Sequence, residues 1–300
     1  MKFVVTGGAG FIGSNLVNQL IHENNEVHII DNSISEDKIN SKAHYHSLDI
    51  SDDKNLAKIQ NILKNTDTIF HLAAKARVQP SIINPIEFEK NNTLGTINIL
   101  KSCVDSKVKR IVYSSSSSIY GDNLNLPLKE NYTPNPLSPY GSQKYYGEVL
   151  CKTFSHVYGL ESISLRYFNV YGEGQESQSA YSLVIGIFMN QYSKNIPLTI
   201  RGDGEQKRDF TYVGDVVKAN ILASKSSKVG LGEVINIGSG ENKSIKQIAN
   251  CFGGDIKYIK PVFEPKETLA DITLAKTLLN WEPSTSVESW IKKTIKNENN

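Results

Sequence analysis

A short apolar run, Phe3-Val4-Val5, leads directly into three glycines at fixed spacing, Gly7-x-x-Gly10-x-x-Gly13. These open a pattern of apolar residues at helical spacing: Phe11, Ile12, Leu16, Val17 and Leu20. A second apolar run, Val27 to Ile30, follows and ends in Asp31. Strand, glycine turn, helix and strand in so few residues make a βαβ unit, whose crossover sets the two strands parallel. Parallel sheets are covered on both faces, so this opening commits the chain to a layered α/β architecture. The glycines also let backbone N–H groups and a helix N-terminus approach a pyrophosphate. A glycine pattern alone fits a purely structural turn equally well. Asp31, placed at the end of the second strand, adds an acceptor for ribose hydroxyls that repels a 2′-phosphate, which selects NAD over NADP.

The alternation continues. Thr68-Ile69-Phe70, Arg110-Ile111-Val112-Tyr113 and Ile163 to Tyr167 read as strands, with helical stretches at Leu94 to Val104 and around Tyr140. Beyond Gly172 the pattern loosens. Gly172 to Ser179 is polar and loop-like, and Arg201-Gly202-Asp203-Gly204 reads as a turn. Short strand–helix pieces follow near Val234 to Ile237 with Ile245 to Phe252, and near Ile272 to Leu279. The expected fold is a doubly wound parallel sheet (Rossmann) over residues 1–170, with 211–237 returning to it. A smaller mixed α/β substrate-binding lobe over 171–300 would cover the carboxyl edge of the sheet. The tail after Trp290, with Lys292, Lys293, Lys296 and terminal asparagines, reads as a frayed end.

At 300 residues, 39% hydrophobic and 21% charged, the chain reads as an ordinary globular protein of at most two domains. A formal charge of +2 is too small for a nucleic-acid surface, and Lys107, Lys109 and Arg110 read as a solvated helix end. No apolar stretch has transmembrane length, and no signal peptide is expected before the first strand. Cys103, Cys151 and Cys251 lack metal-type spacing and fit a reducing, cytoplasmic setting. His44 and His46 alternate as on a strand; without a third ligand motif, no metal is expected.

The reactive chemistry is carried by Tyr140 and Lys144. Ser138-Pro139 read as an N-cap and first helical residue, which places Tyr140 and Lys144 one turn apart on one helix face. A phenol has a reference pKa of about 10, so acting as a base near neutrality needs a downward shift of about 3 units, or roughly 4 kcal/mol. An ammonium nearby shifts it in that direction. The pair points to redox chemistry on an alcohol.

Together these motifs resemble the extended short-chain dehydrogenase/reductases, in particular their nucleotide-sugar 4-epimerase group. The likeness runs nearly end to end, through Thr6 to Gly13, Asp49-Ile50, His71-Leu72-Ala73-Ala74, Asn92 to Thr96, Tyr113 to Gly121, Ser138 to Lys144, Arg166 to Asn169, and Gly202 to Phe210. It implies tightly held NAD contacted by Gly7, Gly10, Phe11, Ile12, Gly13, Asp31, Asn32, Asp49, Ile50, Leu72, Ala73, Ala74, Asn92, Ser114, Tyr140, Lys144 and Tyr167. It implies Ser116, Tyr140 and Lys144 as the catalytic set. A UDP-sugar would meet Ser116, Tyr140, Asn169, Thr199, Arg208 and Thr268, with Asn169 and Arg208 at the diphosphate. Arg208 suits phosphate physically, a reading favoured over a surface ion pair with Asp209 or Asp203. The implied reaction is removal of hydride from C4 and its return to the opposite face, with Tyr140 taking and giving the hydroxyl proton. The resemblance also implies a homodimer through the Leu94–Val104 and Tyr140–Phe154 helices.

Related chemistries separate at the serine run. By resemblance, 4,6-dehydratases carry an Asp-Glu pair where this chain has Ser117-Ser118; decarboxylases have a glutamate and epimerase-reductases a cysteine at the Ser118 position. The serines therefore favour simple 4-epimerisation. By resemblance the substrate pair is UDP-glucose and UDP-galactose, or UDP-N-acetylglucosamine and UDP-N-acetylgalactosamine; UDP-glucuronate or UDP-pentose 4-epimerisation, another nucleotide-sugar dehydratase or reductase of the superfamily, and a catalytically silent NAD-binding regulator are the alternatives. Thr268 is a small residue where hexose-restricted relatives carry tyrosine, which leaves room for a 2-acetamido group or simply marks a packing site. A phosphate-gripping arginine of the family falls on Pro261 here, with Lys260 adjacent as a substitute.

Overall fold

The computed structural model describes residues 1–33, 39–175, 183–261 and 265–298. Six strands open the central sheet: β1 (Lys2–Thr6), β2 (Glu26–Asp31), β3 (His44–Ser47), β4 (Thr68–His71), β5 (Arg110–Ser116) and β6 (Glu161–Tyr167). Four short strands follow outside it: β7 (Val170–Tyr171), β8 (Leu198–Arg201), β9 (Lys207–Asp209) and β10 (Thr211–Tyr212). The chain then returns with β11 (Leu231–Ile237) and adds β12 (Asn242–Ser244) and β13 (Ile256–Ile259) outside. The sheet order is β11-β6-β5-β4-β1-β2-β3, with every neighbouring pair parallel. The order reverses between β1 and β4, so the connections leaving these strands diverge and open a crevice at their carboxyl ends.

Strand composition matches position. Central β4 is buried throughout, whereas edge strand β3 has no fully buried residue. One face packs the Phe11–His22 helix and the Val213–Lys225 helix through Leu16, Val17, Leu20, Val216 and Ala219. The other packs the Leu56–Leu63, Gly95–Asp105 and Pro139–Tyr158 helices through Ile59, Leu63, Ile99, Leu100, Leu150 and Phe154. A separate cluster, including Ile185, Phe188, Leu198, Ile200, Ile248, Phe252 and Ile291, holds β8, β13 and their helices together.

Two expectations are corrected. The tail is not frayed: a helix runs Val287–Glu298, with Ile291 fully buried, Ile295 packed on the same cluster, and the Trp290 indole N–H donating to Glu173 at 2.7 Å. Val287, Trp290, Ile291 and Ile295 form an apolar stripe at helical spacing, masked in the sequence by the lysines on the other faces. Arg110 is no solvated helix end. It is buried, pairs with Glu161 at 2.6 Å, and donates to the carbonyls of Ala223, Ser224 and Ser226 at 2.9–3.0 Å. A guanidinium here answers the carbonyls that a helix C-terminus leaves unpaired. Of the expected loop Gly172 to Ser179, positions 176–179 lie outside the described residues.

Candidate active site

A cavity of about 970 Å³ opens at the carboxyl ends of the central strands. Its first wall is built by the glycine turn. Gly7 has φ +71°, and a Cβ there would stand 2.6 Å from the Ala73 amide nitrogen; a Cβ on Gly13 would stand 2.1 Å from the Gly7 carbonyl oxygen. Neither position can carry a side chain, so bare backbone and the start of the Phe11–His22 helix face the cavity. Asp31 fixes this turn while lining the same cavity: its carboxylate accepts from the Ala9 amide at 3.0 Å and from the Ser33 amide and hydroxyl at 2.9 and 2.8 Å. Gly10, Phe11, Ile12, Asn32, Asp49, Ile50, Leu72, Ala73 and Ala74 line it as well. Asn92 does not. Its amide is buried, accepting from the Lys75 amide at 2.8 Å and donating to the Lys75 carbonyl and Gln143, each at 2.9 Å, so it braces the loop after β4 from behind.

The reactive wall is formed by the end of β5 and the Pro139–Tyr158 helix. The Ser138 hydroxyl caps that helix, accepting from the Gly141 amide at 3.1 Å, with Pro139 at the first helical position. Ser114, Ser116, Tyr140, Lys144 and Tyr167 all line the cavity. Ser116 lies beside the Tyr140 phenol and favours its charged form, and the Ser116 oxygen accepts from the Ser118 amide and hydroxyl at 3.2 and 2.9 Å. The Lys144 ammonium donates to the Ser114 carbonyl at 2.6 Å and lies 5.0 Å from the centre of the Tyr113 ring. The Tyr167 hydroxyl donates to Asn220 at 2.9 Å.

The electrostatics differ from the expectation. Burial raises the Tyr140 phenol above its ordinary value, offset in part by the Ser116 hydrogen bond and by the charge of Arg77. Lys144 is itself lowered by burial to about 8, and its ammonium is engaged by Ser114. Desolvation therefore outweighs the lysine's pull. At neutral pH the chain by itself holds a phenol beside an ammonium.

The opposite wall carries Asn169, Thr199, Arg208 and Thr268. Arg208 is buried and donates to the Lys207 and Lys266 carbonyls at 2.8 and 3.4 Å. The Asp209 carboxylate is occupied elsewhere, accepting from Ser239, Gly240 and Ala270 at 2.6–3.1 Å, with burial raising it to about 6. Lys260 and Pro261 are exposed and outside the cavity wall. Two arginines that sequence reasoning passed over, Arg77 and Arg201, do line it. Arg77 follows the Leu72-Ala73-Ala74 motif by three residues at φ +94°, and Arg201 faces Ile259 across the β8–β13 pair. A cation one turn beyond a recognised motif was the available signal. Among the described residues, the only carboxylates in the wall are Asp31 and Asp49, both on the β2–β3 side.

Residues 3–238 match the NAD dependent epimerase/dehydratase family. The chain belongs to that family. Three solved epimerases share its fold over nearly their whole length. The UDP-glucose 4-epimerase of Thermotoga maritima, with UDP-glucose, is 35% identical at a TM-score of 0.93, covering 99% of this chain and 98% of that one. The UDP-N-acetylglucosamine 4-epimerase of Methanobrevibacter ruminantium, in complex with UDP-N-acetylmuramic acid, is 36% identical at 0.91, covering 98% and 97%. The UDP-glucuronic acid 4-epimerase of Bacillus cereus, with UDP-glucuronic acid and NAD, is 32% identical at 0.89, covering 100% and 99%. The chain is thus an extended short-chain dehydrogenase/reductase of the NAD-dependent UDP-sugar epimerase type. Its glycine cradle and Asp31 fit NAD on their own geometry. No described helix is long and apolar enough to cross a membrane.

Proposed function

We propose that this protein inverts C4 of a UDP-sugar, with Ser116, Tyr140 and Lys144 as its catalytic residues. The observation that carries this reading is the cavity wall itself: Ser116, Tyr140 and Lys144 converge there, and among the described residues no carboxylate lines the wall beside them, the nearby Glu148 being buried in an ion pair with Arg166. Eliminating water, or removing a carboxyl group, would call for a further acid or base at a second carbon. Inverting one carbinol needs only one proton acceptor that later donates. NAD, when bound, supplies the hydride acceptor and donor and a positive charge beside the base. Tyr140 takes the 4-hydroxyl proton and gives it back; Ser116, beside it, orients that hydroxyl. Arg208 and Asn169 hold the diphosphate, leaving the sugar able to present either face to Tyr140. Incubation without added NAD, separately with UDP-glucose, UDP-N-acetylglucosamine and UDP-glucuronate, should yield the C4 epimer of at least one. No product from any of them, with NAD still bound, would instead support a silent NAD-binding regulator.

Among these sugars one observation favours the uronate. Arg77 lines the cavity and its charge acts on Tyr140, which supports a substrate carrying an anionic group close to C4. Thr268, buried in the same cavity's wall, leaves the 2-acetamido reading standing beside it. Replacing Arg77 with alanine is expected to raise KM for UDP-glucuronate about tenfold, a charge-assisted hydrogen bond being worth roughly 1.5–3 kcal/mol, while leaving that for UDP-glucose nearly unchanged. Equal effects on both would remove the uronate preference.

We further propose a homodimer. The Pro139–Tyr158 helix exposes Tyr145, Tyr146 and Val149, and Leu94 is exposed just before the Gly95–Asp105 helix. Light scattering at micromolar concentration should give twice the chain mass. Buried, unpaired Cys103 and Cys151 suit a reducing cytoplasm.

A further inference from the structure

Strands β2 and β3 run parallel at the sheet edge, with His28 directly opposite His44 and Ile30 opposite His46. Side chains two apart on a strand share a face, so Glu26, His28, His44 and His46 project together. One ligating atom each from Glu26, His28 and His44 lies within 4.8 Å of the other two. The His28 ring stacks on both neighbours, 4.6 Å from His44 and 5.3 Å from His46 between centroids. Its Nε2 lies 2.8 Å from a Glu26 carboxylate oxygen and its Nδ1 lies 3.0 Å from His46 Nε2. A carboxylate only accepts, so His28 carries its proton on Nε2 and accepts from His46 on Nδ1.

We propose that Glu26, His28 and His44 bind a divalent cation of the zinc class, with His46 orienting His28. The cation takes the place of the proton between His28 Nε2 and Glu26. The His28 proton shifts from Nε2 to Nδ1 and is donated to His46 Nε2, while the His46 proton moves from Nε2 to its own Nδ1. Every ring stays neutral with one proton, and the His28–His46 hydrogen bond, now donated by His28, fixes the metal-bound imidazole. Zinc–nitrogen bonds of about 2.0–2.1 Å place tetrahedral ligand atoms about 3.4 Å apart. Closing from 4.8 Å needs only side-chain rotation, and Glu26 is 54% exposed and His44 exposed at the rim. Imidazole with carboxylate suits zinc and its first-row neighbours better than magnesium or calcium. The opposing charge is Lys2, in register with Glu26 on β1. Its ammonium donates to the Ile62 and Lys64 carbonyls, each at 2.7 Å. A cation here ties edge strand β3 to β2, just before Leu48, Asp49 and Ile50 enter the cavity wall.

The test is titration of chelator-stripped protein with zinc chloride by calorimetry, alongside cobalt(II) absorption, which reports ligand number. One equivalent should bind saturably and raise Tm, and His44→Ala should weaken binding at least about tenfold. His44 is exposed, so this variant keeps the fold; His28→Ala should behave alike. His22→Ala and Cys251→Ser should bind as the wild type does. Absence of saturable one-equivalent binding, or binding unaltered in His44→Ala, overturns the site. The proposal is independent of the epimerase reading, because neither His28 nor His44 touches the cavity.

Discussion

Tyr140→Phe is expected to lose about 10³-fold or more in kcat while retaining its NAD. The substitution keeps the aromatic ring and removes one oxygen. That oxygen lies beside Ser116 in the cavity wall. Lys144 cannot replace it as a base, because its ammonium already donates to the Ser114 carbonyl at 2.6 Å. The cofactor wall, Gly7, Gly13 and Asp31, is untouched by the change, so nicotinamide content per chain should stay at the wild-type level. Stability should change by no more than about 1 kcal/mol, one hydrogen bond of ordinary strength. The measurement is turnover of each UDP-sugar together with cofactor released on denaturation. Wild-type turnover in this variant would remove Tyr140 from the mechanism. Loss of both turnover and NAD would show that the hydroxyl holds the cofactor, with no evidence for a role in proton transfer.

The sheet was legible because its signals are local and repeated. Three of the four residues from Val27 to Ile30 are apolar and β-branched, and β2 runs Glu26–Asp31. Ile245 to Phe252 was placed to the residue, its Ser244 and Gln247 forming a capping box. What failed depended on partners distant in sequence. Arg110 sits beside two lysines and looks solvated until β5 and the Val213–Lys225 helix come together around it. The strands of two to four residues in the lobe, such as β10 and β9, carry too few residues to show a period. At the site, the glycines, Asp31, Tyr140 and Lys144 were readable because each must occupy a fixed place on one element. Asn92 was not: the resemblance implied a cofactor contact, but its side chain makes three hydrogen bonds, to the Lys75 amide, the Lys75 carbonyl and Gln143. The direction of the Tyr140 shift was equally hidden, since burial is a property of the packed wall and spacing cannot report it.

Acidification should destabilise the protein through His71 by about 3 kcal/mol between pH 7 and pH 4. His71, at the end of β4, is buried and its pKa falls to about 3, chiefly from desolvation and then from the charge of Lys144. Its hydrogen bonds fix the tautomer. The Thr96 hydroxyl donates to the Asn92 carbonyl at 2.5 Å, so it accepts from His71 Nε2 at 3.0 Å. That leaves Nδ1 as acceptor for the Thr6 hydroxyl at 2.6 Å, whose oxygen in turn accepts from the Ala73 amide at 3.2 Å. A second proton on the ring would set donor against donor at Thr6 and loosen the Ala73 amide, which abuts Gly7 in the cofactor wall. The folded pKa lies below the unfolded one, about 6.5. The unfolded chain therefore binds the proton first: the contribution is complete above about pH 6.5 and is lost progressively as pH falls toward 3. Denaturant unfolding at pH 7 and pH 4 should show this loss in the wild type and a smaller one in His71→Gln, which cannot titrate. Histidine-selective NMR of the wild type gives an independent reading, in which His71 should stay neutral at pH 4. Equal pH slopes in the two proteins, or a His71 ring that protonates near pH 6, would exclude this coupling between acid sensitivity and the cofactor wall.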